Sequence, residues 1–591
     1  MKKLVLLLLL SSPAYAHNGE YPDLDCQDCT LDQRIEVASE VPMVQSESGK
    51  STDVLDSYLI DQYKETRVVD NLSGIPGVET KNAGGISTVR IRGMRSYDTK
   101  WLYNGVPMKD PTEPQSSFTP FVDNLLNMGT TEVQVLKGVG STIYGSEAMG
   151  GVVDIEPLDT PWSYQQEVGH EWKEALTSPY GSVVRLDSRE SDNTSFNVGH
   201  KWEKVELWGL FIDASSPINN SPYIMANEVH TDEHDENNRS EERFVHGGAK
   251  VALGEFGQWT VSGSESRRRF VFLPNEDGSD FYSDGTFTGD SIYSDLRFSG
   301  NLGTIGWTYL RDWYKFETGE EEDEIDRYQN DFYVEKKIEI GKVDLLLGGR
   351  ESLHESTKAR LLFDVSAVYH VDKSLLVRIH TGSGYRAPSL YELNGAFLTD
   401  FGRFEIGNPE LSPERSTSFD VGVQKQIGDL ITLGATYFSN TVKNRIGFVG
   451  GNYGNMEGDY NPHGVEAYYE HFLFGCASAR IAYTKTWAEN LIDIGQNSFD
   501  LSLRVEKKKW NASVRARIRD KHTIELFDYD TFEVDRVKED GSVVVDVTVG
   551  YKVKDNVEIY ARAENLFGED YEVGAYRQNG ARVYGGVKVA L

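Results

Sequence analysis

Three short clusters carry the residue types that bind metals or anions. Cys26-Gln27-Asp28-Cys29, with His17, Asp23 and Asp25 nearby, could close a local disulfide in an oxidising compartment or offer two thiolates to a soft metal. No strand–helix–strand pattern surrounds the pair, so a thioredoxin-like redox site is not expected. His230-Thr231-Asp232-Glu233-His234-Asp235-Glu236 sets two imidazoles among carboxylates. It reads either as a hydrated acidic loop or as a metal loop. In the second case His230, Asp232, His234 and Asp235 would take Zn2+ or Cu2+, while carboxylates alone suit Ca2+. Arg267-Arg268-Arg269 is the one dense basic run, and guanidinium clusters suit anionic chelates or lipopolysaccharide. Residues 320–324 with Asp326, and residues 275–278, are further acidic stretches that read as hydrated loops. No nucleophile–base motif is visible, so the chain is not expected to be an enzyme.

The elements that must position these clusters are strands. Phe196, Val198, His200 and Trp202 alternate with polar or small residues; Glu203-Lys204 turn the chain, and Val205, Leu207, Gly209 and Phe211 alternate back. Phe363, Val365, Ala367 and Tyr369 return, after a turn at 371–373, as Leu375, Val377 and Ile379. Phe419, Val421 and Val423 pair in the same way with Ile431, Leu433, Ala435 and Tyr437. The intervening face carries Asp364, Ser366, Thr432, Gly434, Asp546 and Thr548. Short turns alternate with long polar stretches, such as 215–242 and 382–413, which is the rhythm of an outer-membrane barrel rather than a soluble sandwich. Residues 161–591 allow about 22 strands at about 20 residues per strand and connection. The expected fold is therefore an all-β transmembrane barrel of about 22 antiparallel strands. A lumen that wide needs filling, and residues 50–160 read as an α+β plug with short strands near 89–91, 132–136 and 151–155.

Composition agrees with that reading and narrows the rest. The 591 residues hold 60 Lys+Arg against 93 Asp+Glu, a net charge of −33 that argues against nucleic acid. The apolar run 4–10 is too short to span a bilayer. Preceded by Lys2-Lys3 and followed by Ala14-Tyr15-Ala16, it reads as a cleaved signal peptide over 1–16, with the mature chain starting at His17. The expected location is the outer membrane of a Gram-negative cell.

The plug and barrel also carry a family resemblance. Ile75-Pro76-Gly77-Val78, Ile91-Arg92-Gly93, Asn104-Gly105-Val106-Pro107, Val135-Leu136-Lys137-Gly138, Tyr144-Gly145-Ser146 and the run 150–155 occur in the order seen in TonB-dependent outer-membrane receptors. The stretches 385–393 and 407–414, and Glu564-Asn565-Leu566-Phe567 with Asp570-Tyr571, resemble the same family's barrel. Length and ending look most like the compact cobalamin and siderophore receptors. Three positions depart from the pattern: Asn104 where Asp is usual, Val139 where Pro usually follows Lys-Gly, and Leu591 where an aromatic usually ends the chain.

The resemblance implies a mechanism. A periplasmic TonB protein, energised by its inner-membrane complex, would grip a TonB box by strand addition and pull on the plug. Ile35-Glu36-Val37-Ala38-Ser39, within the segment 17–49, resembles that box. Arg90, Arg92, Gly93, Asn104, Gly105, Lys137, Gly138, Gly150 and Gly151 would be the plug's motif residues. Substrate contacts would fall on Lys81, Asn82, Met108, Lys109 and the Arg267–Arg269 run. The substrate would be a small metal chelate, a ferric siderophore or cobalamin, the alternative being free or weakly chelated zinc or copper. No cofactor is required, although Ca2+ or Zn2+ could sit on an extracellular loop. Other expected partners are outer-membrane lipid, lipopolysaccharide and the barrel assembly machinery, with the receptor itself a monomer. Only about 18 residues precede the candidate box, so a transcriptional signalling domain is not expected.

Overall fold

A computed structural model describes residues 49–589 apart from 111–129, 158–161, 173–187, 218–222, 231–238, 273–284, 529–532 and gaps of one to three residues. The signal peptide, the TonB-box segment 35–39, Cys26, Cys29, Asp232, His234, Asp235 and Leu591 all lie outside the described residues.

The plug comes first. Its strands are β1 (Ser51–Asp56), β2 (Val78–Ala83), β3 (Ile86–Ile91), β4 (Thr99–Tyr103), β5 (Val106–Pro107), β6 (Thr130–Lys137) and β7 (Gly151–Pro157). Five of them form a sheet in the order β1-β6-β7-β4-β5, and β2–β3 is a separate hairpin. The strands expected near 89–91, 132–136 and 151–155 correspond to β3, β6 and β7. Helix α1 (Ser57–Tyr63) starts where the Asp56 carboxylate accepts the Leu59 N–H at 2.8 Å, and it stops at Lys64 in the left-handed conformation. Helices α2 (Val68–Asn71) and α3 (Ser141–Tyr144) are single turns. The plug's core collects Val68, Leu72, Ile75, Ile91, Val133, Val135, Val153 and Ile155, all essentially buried. Each such side chain contributes about 1.5–3 kcal/mol of burial.

Around the plug stands a closed antiparallel barrel. Its first ten strands are β8 (Trp162–Trp172), β9 (Ser188–Lys201), β10 (Val205–Pro217), β11 (Arg239–Ala252), β12 (Gln258–Phe272), β13 (Gly285–Gly300), β14 (Gly303–Thr318), β15 (Glu321–Ile340), β16 (Val343–His354) and β17 (Arg360–Asp372). The next ten are β18 (Leu375–Arg386), β19 (Glu414–Ile427), β20 (Ile431–Lys443), β21 (His463–Leu473), β22 (Ala477–Trp487), β23 (Asn497–Lys507), β24 (Trp510–Arg519), β25 (Val543–Lys554), β26 (Val557–Glu564) and β27 (Arg582–Val589). β27 lies beside β8 and closes the cylinder. The described residues thus give 20 barrel strands where length arithmetic expected about 22. The architecture stands; the difference is strand length, because β13 and β14 each run 16 residues and β15 runs 20.

Alternation sorts the two faces. On β17, Leu361, Phe363 and Tyr369 are exposed while Leu362, Asp364, Ser366 and Val368 are buried on the inward face. On β19, Phe419 and Val423 face out and Ser416, Ser418 and Asp420 face in. Among the described residues no helix is long and apolar enough to cross a membrane; the chain crosses with strands whose outward residues meet lipid.

Two expected connections are shorter than the sequence suggested, because strands continue into polar residues. β10 runs to Pro217 and β11 begins at Arg239, and β18 runs to Arg386. What remains of 382–413 is folded: helix α4 (Leu390–Asn394) and a hairpin, Ala396–Thr399 with Gly402–Glu405. A second hairpin, Ile446–Val449 with Asn452–Asn455, joins them at the long-loop end. Tyr314, Phe316, Leu390, Tyr391, Ile406, Ile446 and Tyr453 share one apolar cluster there. Inside the 385–414 stretch, Arg386 grips Glu392 at 2.8 and 2.9 Å and Glu414 at 2.7 Å. Glu392 in turn forms a capping box with Ser389.

Candidate functional site

The chain enters the described plug at Gly49, pressed against the barrel wall: a Cβ there would sit 2.4 Å from Ser366 Cβ and 2.7 Å from the Ala367 nitrogen. Lys50 pairs with Asp364 of β17 at 3.1 Å. Asp53 of β1 accepts from Lys137 at 2.6 Å and from Arg480 of β22 at 2.7 Å. Burial alone would raise the Asp53 pKa, but Lys137 and Arg480 outweigh it and hold the carboxyl well below its ordinary range.

At the centre of this contact is Arg92, fully buried. Its Nε and Nη2 donate to the two oxygens of Glu466 at 2.8 and 2.9 Å, Nη1 donates to Asp420 at 2.6 Å, and Nη2 also reaches Ser51 Oγ at 2.9 Å. Its guanidinium lies over the Phe438 ring at 4.6 Å. Lys137 Nζ adds a 3.1 Å contact to Glu466 and donates to the Pro76 carbonyl at 2.7 Å. On the barrel side His380 bridges Asp364 and Asp420, each at 3.1 Å. The result is a continuous network from the first plug strand through Arg92 and Lys137 into β17, β18, β19, β21 and β22. Charges removed from water this completely persist only when paired.

A second contact lies toward the long loops. Lys109 pairs with Asp312 of β14 at 2.9 Å and with Glu147 at 3.0 Å. Burial works against its charge, yet the two carboxylates win and raise its pKa. Arg350 of β16 donates to Asp331 at 2.8 Å and to the Ile143 carbonyl at 2.7 Å, pinning α3. Lys100 donates to the carbonyls of Tyr144 and Ser146 at 2.7 and 3.1 Å; burial brings its pKa down to about 8. A cavity of about 20 Å3 among Lys100, Lys109, Glu147, Asp331 and Arg350 has room for a single water.

The residues expected as plug motif occupy the following positions. Asn104 and Gly105 both have positive φ, 50° and 74°, and form the tight turn between β4 and β5; Asn tolerates that conformation much as Asp does. The Gly105 N–H donates to Asp154 at 3.0 Å. Val139, where the family pattern has Pro, uses the N–H that Pro lacks: it donates to Ser418 Oγ of β19 at 3.3 Å. Arg90 sits opposite Glu79 in the β2–β3 hairpin. Gly93 and Gly138 have positive φ, and Gly150 and Gly151 pack too tightly against Met94 and Ile91 to admit a Cβ.

The expected substrate contacts divide. Lys81 and Asn82 are in β2, near the hairpin's turn. Met108 packs on the plug core, and Lys109 is committed to the ion pairs above. The run 267–269 does not form one basic surface, because a strand's pleat sends neighbours to opposite faces. Arg268 points inward, donating to Asp110 at 2.5 Å and Ser240 at 3.0 Å, whereas Arg267 and Arg269 point out of the barrel. His230 ends the short strand Glu228–His230.

Asp53, Asp420, Glu466, His380 and Arg480 are not singled out by the sequence, and Asp364 is visible there only as part of a polar strand face. For the barrel residues the one signal is inward parity in alternating strands, which is silent about partners.

Two family models match the chain: "TonB-dependent Receptor Plug Domain" over residues 44–152 and "TonB dependent receptor-like, beta-barrel" over residues 172–566. The vitamin B12 transporter BtuB of Photobacterium profundum is 22% identical over 563 residues, covering 87% of this chain and 88% of that protein. The ferric enterobactin receptor PfeA of Pseudomonas aeruginosa superposes with a TM-score of 0.71 at 14% identity, covering 91% of this chain and 98% of the other. The ferripyoverdine receptor of the same organism gives a TM-score of 0.72 at 13% identity, covering 94% and 88%.

Proposed function

This chain belongs to the TonB-dependent receptor family, and from that premise we propose that it imports a scarce metal chelate, a ferric siderophore or vitamin B12, across the outer membrane into the periplasm. The outer membrane holds no ATP and no sustained ion gradient, so uphill import must draw on work delivered through the chain itself. The observation that carries this reading is the placement of β1. It is the first described plug strand after the 35–39 segment, and it is tied to the barrel through Lys50–Asp364 and Asp53–Arg480 and to the plug motif through Asp53–Lys137. A pull transmitted by TonB from residues 35–39 would reach those ion pairs at the start of the described plug, within the first five described residues. The relatives named above supply the substrate class, and the energised partner is TonB with its inner-membrane complex.

Deleting residues 35–39 is expected to leave chelate binding to whole cells unchanged and to abolish accumulation. Accumulation that persists in the deletion would overturn the mechanism. Growth of a strain lacking the receptor under separate iron, cobalamin, zinc and copper limitation identifies the cargo. A defect confined to zinc or copper would overturn the chelate reading.

A further inference from the structure

The charges that meet at the lumen wall divide unequally between plug and barrel. The plug brings Lys50, Arg92 and Lys137 against Asp53, and the wall answers with Asp364, Asp420 and Glu466 against Arg480. With the plug seated the two sets cancel. With the plug withdrawn, the wall keeps its carboxylates and loses the cations that face them. Two of those carboxylates share a partner that cannot leave, because it belongs to the strand between them. His380 of β18 stands directly opposite Asp420 of β19 and one diagonal step from Asp364 of β17.

Both ring nitrogens of His380 are engaged. Nδ1 lies 3.1 Å from Asp420 Oδ2, and Nε2 lies 3.1 Å from Asp364 Oδ2. An ionised carboxylate only accepts and a neutral imidazole has one N–H, so both contacts are hydrogen bonds only when the ring carries its second proton. Each carboxylate also holds one plug cation. Asp364 Oδ2 takes Lys50 Nζ at 3.1 Å, and Asp420 gives its other oxygen to Arg92 Nη1 at 2.6 Å. The site is sealed: His380, Asp364, Asp420, Lys50 and Arg92 are all essentially buried. A Cβ on Gly382 would stand 3.1 Å from Asp364 Oδ2 and 3.4 Å from His380 Nε2, and one on the plug's Gly138 would stand 3.1 Å from Asp420 Oδ2. Arg378, two residues back along β18 on the same inward face, turns its guanidinium toward Gly422 and stays with the barrel whether or not the plug is seated. Glu466 and Lys137 reach the ring only through Arg92.

We propose that His380 is a positioning residue for plug release: when Lys50 and Arg92 withdraw, its imidazolium takes their place between Asp364 and Asp420, which links release to proton binding at this ring. With the plug seated, the ring is the third cation serving two carboxylates. With the plug gone, it is the only one. Its charge therefore stabilises the released wall more than the seated one. Two signs follow. Deleting the charge tightens the plug, whereas deleting an ordinary buried ion-pair partner loosens the contact. The released wall also binds the proton more firmly, so falling pH favours release, by at most about tenfold per pH unit for a single proton. The inference rests on the transport reading only in requiring that the plug leave this wall, and it is independent of which chelate is carried.

Urea-driven opening tests it without TonB or chelate. The full receptor in planar bilayers would be titrated with urea at pH 6, 7.5 and 9, and the midpoint of the conductance increase would report plug release. Glu156 of the plug titrates with the opposite sign, so every protein carries Glu156→Gln. The parent is expected to need more urea as pH rises. His380→Gln should need more urea than the parent at pH 6 and show a flatter pH dependence. His380→Arg, a permanent cation, should open as the parent does at pH 6 and keep that midpoint at pH 9. A lower midpoint in His380→Gln would show that the ring merely holds the seated contact together, and an unchanged pH slope would place the titration elsewhere; either overturns the proposal. If His380→Gln does not insert, the slope of His380→Arg decides alone, and a slope equal to the parent's overturns it. In cells, uptake per chelate bound is expected to fall several-fold in His380→Gln at pH 6, and unchanged uptake beside a tightened plug would overturn the role in transport. Failure of the transport reading looks different: the parent takes up no chelate while the conductance shifts remain.

Discussion

Arg92 and Glu466 meet in a two-pronged ion pair, 2.8 and 2.9 Å, that joins plug to barrel inside a fully enclosed contact. Removing one partner leaves the other buried with a single remaining counter-charge, Asp420 for Arg92 or Lys137 for Glu466, and losing half of a buried ion cluster costs up to about 3–5 kcal/mol. Glu466→Gln is therefore expected to lower the temperature at which the plug loosens and to raise passive leakage of small hydrophilic solutes. Arg92→Gln should do the same. The double variant should lose less than the two single losses summed, because both remove one interaction. Calorimetry and a vesicle-swelling assay on all four proteins would check it, and strictly additive losses would show that the two residues act separately.

Gly77 offers an independent probe of the same pair. Its φ is +73°, and a Cβ would stand 2.2 Å from Glu466 Oε1. Gly105 has nearly the same φ, +74°, but open space around its missing Cβ. Gly105→Ala should cost only the backbone strain, about 1–2 kcal/mol. Gly77→Ala should cost that and also displace Glu466 from Arg92, reproducing the leak of Glu466→Gln. Comparable leak in both alanine variants would mean that strain alone explains the effect.

The barrel was readable in the sequence because its physics is local. The alternation of Phe363, Val365, Ala367 and Tyr369 with the return at Leu375, Val377 and Ile379 predicts a hairpin, and the structure pairs Ala367 with Ile379 as that pattern requires. The polar face at Asp364 and Ser366 was equally plain. What it touches was not: Arg92 finds Glu466 across 374 residues and Asp420 across 328, and no pattern of period two encodes a partner at that distance. The splitting of 267–269 between two faces was available from the pleat alone, but a triple arginine reads as a cluster until a strand is imposed on it. Strand ends were also obscured. β10 and β18 continue into polar residues because the barrel extends beyond the apolar band, where outward positions no longer need to be hydrophobic.

Titration of the plug gives a further test. Burial, and then the neighbouring carboxylates Asp154 and Glu132, push the Glu156 pKa up to about 8. The folded state then holds its proton between about pH 4.5 and 8 where the unfolded chain has already lost it. Folded protein binds more protons across that window, so this group makes plug stability fall as pH rises from 5 to 8. Glu156→Gln is expected to flatten that part of the stability profile and to be more stable than wild type at pH 8. Thermal unfolding of the plug at pH 5, 6.5 and 8 reads both effects; parallel profiles for the two proteins would exclude Glu156 as the source.

The last prediction concerns motion of β1. Val54 and Gln134 are direct partners across β1 and β6, so Val54→Cys with Gln134→Cys, in a background with Cys26, Cys29 and Cys476 replaced by serine, can be closed by an oxidant. If force from residues 35–39 strips β1 from β6 to open a path, the oxidised receptor will bind chelate with unchanged affinity and transport none. Reductant will restore transport, and each single-cysteine variant will transport under both conditions. β1 holds Lys137 through Asp53, and Lys137 holds Glu466, so a locked β1 also keeps the second grip on Glu466 in place. Full transport by the cross-linked receptor would show that β1 and β6 move together, and that the yielding surface is the ion-paired boundary between plug and barrel.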